Sequence, residues 1–73
     1  MQDEFKLTLR EKEVLGLMAR GLLNKQIAGD CGITEQATKN CVSRILKKLD
    51  SPNRTGAVIK ASRCGLIQLD QEY

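Results

Sequence analysis

Gln36, Lys39, Asn40, Ser43 and Lys47 recur at steps of three and four residues within 35–49, a spacing that lines one side of a helix. Lysine and amide side chains donate hydrogen bonds to the guanine and adenine edges of the major groove, with serine as a short adaptable partner. Further along, Arg44, Lys47 and Lys48 form a basic set suited to phosphates. Thr38, Val42, Ile45 and Leu49, flanked by Cys41 and Leu46, follow the same period on another side and supply a stripe for a core. An ordinary solvated surface accounts for the lysines on their own. It accounts less well for a face with so few carboxylates.

The charge distribution sharpens this. The chain carries +3 over 73 residues, and residues 34–54 hold five basic against two acidic side chains, so the whole excess sits around this stretch. A chain this short folds as one domain with one small core and little room for an enzymatic cleft. It has no histidine, phosphate loop or paired catalytic constellation, so the expectation is a binding module and not an enzyme, without cofactor or metal. Cys31, Cys41 and Cys64 are odd in number and widely spaced, which reads as small buried hydrophobes in a reducing compartment rather than as a disulfide or zinc framework. A redox role for Cys41, near a helix start where a thiolate is stabilised, is the rival to packing. No signal peptide or membrane-spanning apolar run is present, so a soluble, cytoplasmic protein without a membrane partner is expected.

The elements that must hold these residues are all helical, with no strand alternation or internal repeat. Thr8-Leu9-Arg10-Glu11 has the capping-box form, which predicts helix 1 over about 9–20, with Val14, Leu15, Leu17, Met18 and Leu22 on its apolar face and Gly21 ending it. Asn24 is the expected cap of a short helix 2 that stops at Gly32, packed through Leu23, Ile27, Ala28 and Cys31. Only Gly32 and Ile33 then precede Thr34, the cap of helix 3 over about 35–49; two helices joined by so tight a glycine turn form a helix-turn-helix pattern. Asp50-Ser51-Pro52-Asn53 breaks helix 3, and Asn53 caps a helix 4 that carries Ala57, Val58, Ile59, Ala61 and Cys64 and ends at Gly65. Leu66, Ile67 and Leu69 would fold back on the core, followed by a frayed end at 70–73.

In order along the chain, Leu7-Thr8-Leu9-Arg10-Glu11-Lys12-Glu13-Val14-Leu15, Gly21-Leu22-Leu23-Asn24-Lys25-Gln26-Ile27-Ala28, Ile33-Thr34-Glu35, Lys39, Val42, Ile45, Lys48-Leu49 and Asn53-Arg54-Thr55-Gly56-Ala57 resemble the LuxR/FixJ-type DNA-binding domain of bacterial transcription regulators. The resemblance spans about residues 7–67 and implies an all-α, compact four-helix bundle in which helices 2 and 3 form the helix-turn-helix, helix 3 enters the major groove and helix 4 mediates dimerisation. It also implies base contacts from the positions of Lys39, Asn40 and Ser43. The pattern departs from the family at Ala37, Thr38 and Cys41, where the family commonly has threonine, valine and histidine.

The resulting expectation is a single domain over 1–73, with short tails at 1–6 and 68–73, that binds double-stranded DNA sequence-specifically as a bacterial transcription regulator or its output domain. Lys39, Asn40 and Ser43 would read bases, and Lys25, Thr34, Gln36, Lys47, Lys48 and Arg54 would hold the backbone. Arg54 is equally suited to bridging elements, and Glu11 to capping. Val58, Ala61 and Ser62 on helix 4 would form a homodimer contact, and RNA polymerase is a further partner this reading admits. The competing reading is a helical protein-interaction module whose DNA binding is weakened or lost through Ala37, Thr38 and Cys41.

Overall fold

The computed structural model describes residues 5–67, which form four helices and, among themselves, no strand: α1 (Leu9–Ala19), α2 (Asn24–Cys31), α3 (Glu35–Lys48) and α4 (Arg54–Arg63). Leu69 and the expected frayed end at 70–73 lie outside the described residues. Three of the four starts are set by side-chain caps. Thr8 Oγ1 accepts from the Glu11 N–H at 3.1 Å while Glu11 Oε1 accepts from the Thr8 N–H at 3.0 Å, completing the predicted capping box. Thr34 Oγ1 caps α3 through the Ala37 N–H at 3.0 Å, and Asn53 Oδ1 caps α4 through the Gly56 N–H at 2.8 Å.

The start of α2 differs from expectation. Leu23, not Asn24, is the N-cap residue, and its N–H donates to Gln26 Oε1 at 2.8 Å. Asn24 lies inside the helix because its side chain is engaged elsewhere, by Arg54. Helix ends follow the left-handed glycine rule at Gly21 and Gly32: the Leu22 N–H reaches back to the Leu17 carbonyl and the Ile33 N–H to that of Ala28, satisfying carbonyls the helices leave open.

α1 and α3 each pack on the other three helices, and between them lies the core. Val14, Leu15, Ile27, Ile45, Leu49, Ala57 and Ala61 have no exposed surface, and Leu7, Met18, Cys41 and Val42 close around them. A fully buried Leu or Ile contributes about 1.5–3 kcal/mol relative to exposure, so Leu15, Ile27, Ile45 and Leu49 are the main holding contacts. They also fix which way α3 faces.

Candidate nucleic-acid interface

The rotational phase of α3 is set by its buried side. Thr38, Cys41, Val42 and Ile45 point inward, and Thr38 meets its polar requirement by donating from Oγ1 to the Thr34 carbonyl at 3.1 Å. A hydroxyl therefore sits in the core without an unsatisfied atom. With that side held, Gln36, Lys39, Asn40, Ser43 and Lys47 are all exposed on the far side, as the wheel requires. Glu35 is the one carboxylate in α3 and lies in its first turn, where it complements the helix dipole.

The candidate residues are not equally available. The side chains of Lys25, Lys39, Ser43 and Lys47 are exposed and make no hydrogen bond or ion pair with another described residue. Gln36 and Asn40, one turn apart, are joined: Gln36 Nε2 donates to Asn40 Oδ1 at 3.1 Å. Thr34 is exposed, and its Oγ1 is the acceptor that caps α3, which leaves its hydroxyl hydrogen for an outside acceptor.

Arg44 and Lys48 belong to a different structure. Glu11 is only 2% exposed, and it takes Lys48 Nζ on Oε1 at 2.7 Å and Arg44 Nε on Oε2 at 3.2 Å, in addition to the Thr8 N–H. Lys48 Nζ also donates to the Lys6 carbonyl at 3.0 Å. The ammonium expected on a phosphate is thus committed to holding α3 against the start of α1. Burial raises the Glu11 pKa, but hydrogen bonds from Lys48, the Thr8 backbone and Arg44 outweigh it and leave the carboxyl below its ordinary value.

Arg54 is likewise turned inward. One guanidinium nitrogen donates to Asn24 Oδ1 and the other to the Leu22 carbonyl at 2.8 Å, so Arg54 ties the start of α4 to the α1–α2 turn. On α4, Val58 and Ser62 are half-buried, but Ala61 has no exposed surface. Its side chain is a core contact within this chain with no surface left to offer a second one, which corrects its expected place at a dimer contact. Ile59 and Leu23 are exposed instead, and with Met18, Leu22, Arg54 and Val58 they line a groove of about 320 Å³.

The cysteines divide three ways. Cys41 is buried and its thiol pKa is pushed up by burial, which opposes the thiolate a redox role needs; Cys31 is half-buried; Cys64, expected in the core, is the C-cap residue of α4 and is exposed. No cluster of three or more metal-ligating side chains occurs among the described residues.

Sequence reasoning missed the Glu11–Arg44–Lys48 tether and the exposed pair Leu23 and Ile59. The tether has no local signal, since its partners lie 33 and 37 positions apart. No helix among the described residues is long and apolar enough to cross a membrane.

Residues 6–61 match the family described as bacterial regulatory proteins, luxR family. The response regulator protein VraR of Staphylococcus aureus, and those of Staphylococcus saprophyticus and Staphylococcus epidermidis, are each 48% identical over 62 residues. That alignment covers 85% of this chain and 30% of theirs, so the chain spans about a third of the length of these relatives. A solved structure of the transcription factor GerE superposes with a TM-score of 0.83 at 33% identity, covering 88% of this chain and 96% of that one. The order of the helices, the glycine turn before α3 and these matches agree: the chain belongs to the luxR family of bacterial regulatory proteins, transcription regulators rather than enzymes, and it carries their helix-turn-helix domain.

Proposed function

We propose that this domain binds double-stranded DNA sequence-specifically, with α3 laid in the major groove, as the DNA-binding part of a bacterial transcription regulator acting from the cytoplasm. The observation that carries the reading is the two-sidedness of α3: Thr38, Cys41, Val42 and Ile45 lock one side into the core while Gln36, Lys39, Asn40, Ser43 and Lys47 stand exposed on the other. Lys39, Asn40 and Ser43 are the base readers. Lys25, Thr34 and Lys47 are the backbone contacts, because they remain available, whereas Lys48 and Arg54 act by holding the helices that present them. The domain works as a homodimer on two half-sites, with Val58 and Ser62 of α4 at the contact, extended by the exposed Ile59 in place of Ala61. RNA polymerase is the further partner of such a regulator.

Selection of bound sequences from a random duplex pool, followed by fluorescence anisotropy on the recovered DNA, tests this. Affinity should fall steeply with salt, with a log–log slope of about −0.9 per phosphate neutralised, and Lys39→Ala should weaken binding to the selected sequence at fixed salt. Absence of binding at low salt would overturn the proposal in favour of a protein-interaction module.

A further inference from the structure

An asparagine in the major groove is an ambivalent reader. Its amide NH₂ can donate to N7 while its carbonyl accepts from the N6 amine, which selects adenine, or the NH₂ alone can donate to the acceptors O6 and N7 of guanine. Which of these it does depends on what occupies its carbonyl oxygen. In this domain one lone pair of that oxygen is taken from within the helix, since Gln36 Nε2 donates to Asn40 Oδ1 at 3.1 Å across one turn, which turns the carbonyl towards Gln36. Asn40 is then left with its Nδ2 as an unengaged donor, and Gln36 keeps a second N–H.

Lys39 adds an ammonium, which only donates, at the adjoining position of the same exposed face. Asn40 Nδ2 and Lys39 Nζ are therefore donors at adjoining positions of this face. Among the four bases, guanine alone offers two acceptors and no donor on its major-groove edge. The phase of the helix is fixed by the buried Thr38 and Cys41 on the other side, which keeps the Gln36–Asn40 pair facing outward.

We propose that Gln36 is a specificity-determining positioning residue: by donating to Asn40 it makes that side chain a guanine reader instead of an adenine reader. This rests on the DNA-binding reading above, but it assigns Gln36 a different role from the backbone contact its sequence position implies. The reversed hydrogen bond, from Asn40 Nδ2 to Gln36 Oε1, would free Oδ1 and predict adenine, so base preference separates the two directions.

The test is binding-site selection with the 73-residue chain, in which Asn40→Ala identifies the base pair that Asn40 reads as the position whose preference relaxes. At that position the wild type should prefer guanine over adenine by about tenfold or more, the scale of a good amide–base match. Gln36→Leu, which cannot donate, should bring that ratio towards unity. Gln36→Glu can only accept, so it must take a hydrogen bond from Asn40 and turn Oδ1 outward; the ratio should then invert. Ratios are compared within each variant, so a change in overall affinity from the added charge cancels. An adenine preference in the wild type, a ratio unmoved by both Gln36 variants, or an Asn40→Ala that relaxes no position would overturn the role of Gln36 while leaving DNA binding intact. Enrichment of no sequence by the wild type would remove the DNA-binding reading and this one with it.

Discussion

Replacing Glu11 by glutamine isolates the contribution of one buried charge to holding the recognition helix. The carboxylate is 2% exposed and accepts from Lys48 Nζ at 2.7 Å, the Thr8 N–H at 3.0 Å and Arg44 Nε at 3.2 Å. Glutamine keeps the shape and one acceptor oxygen, so the bonds to Thr8 and Lys48 survive without their charge; its NH₂ then faces the Arg44 N–H, donor against donor. A hydrogen bond to a charged group contributes about 1.5–3 kcal/mol. Arg44 and Lys48 keep side-chain exposures of 57% and 31%, so both resolvate in part and the full penalty of stranding buried partners does not apply.

The expected loss for Glu11→Gln is about 2–3 kcal/mol, out of a total of about 4–11 kcal/mol for a domain of this size. At about 4–8 °C per kcal/mol, the melting temperature followed by circular dichroism should fall by roughly 8–24 °C at pH 7. The sign with pH is determined. The folded carboxyl has a lowered pKa, so its stabilisation is fully present above the unfolded value of about 4.3 and is lost as pH falls through the lower folded value. The gap between wild type and variant should therefore be widest at neutral pH and close progressively below about pH 4. Equal melting temperatures at pH 7, or a gap that does not change between pH 7 and pH 3, would refute the reasoning.

Three other perturbations follow from the packing. Asp50 holds φ 53°, left-handed for a non-glycine residue, with its charge at the negative end of α3; Asp50→Gly should stabilise by about 0.5–1 kcal/mol in urea unfolding, glycine's extra unfolded-state freedom being outweighed. Ala61→Leu should destabilise by about 1–3 kcal/mol at any protein concentration, since it overpacks the core; a loss that appears only as dimerisation is diluted out would return Ala61 to the interface. Under native conditions a thiol reagent read by mass spectrometry should modify Cys64 readily and Cys41 only on unfolding, and peroxide should leave DNA affinity unchanged; early modification of Cys41 would contradict its burial and raised pKa.

What was legible in the sequence is what local rules decide. Thr8, Thr34 and Asn53 cap helices because a hydroxyl or amide oxygen three residues before a free N–H lies within its reach. Gly21 and Gly32 end helices because they adopt positive φ without penalty. The two sides of α3 follow from the 3.6-residue period, and several ordered blocks were enough to indicate the family.

Tertiary structure decided the rest, because it brings together residues far apart in sequence that no period links. Lys48 looks the same as Lys47 in the sequence, yet one is tied to Glu11 and Lys6 and the other stands exposed. Asn24 has the composition of a cap, but Arg54 from thirty positions away takes its oxygen, and the cap passes to Leu23 and Gln26. Ala61 and Ser62 are neighbours on α4, and only the packing of α1 and α3 against that helix determines that the first is core and the second reaches solvent. The sequence by itself therefore determined which helices form and which side of α3 faces out; the charges and amides left available on that side were determined by long-range pairing, since a charge is free only if nothing across the fold neutralises it.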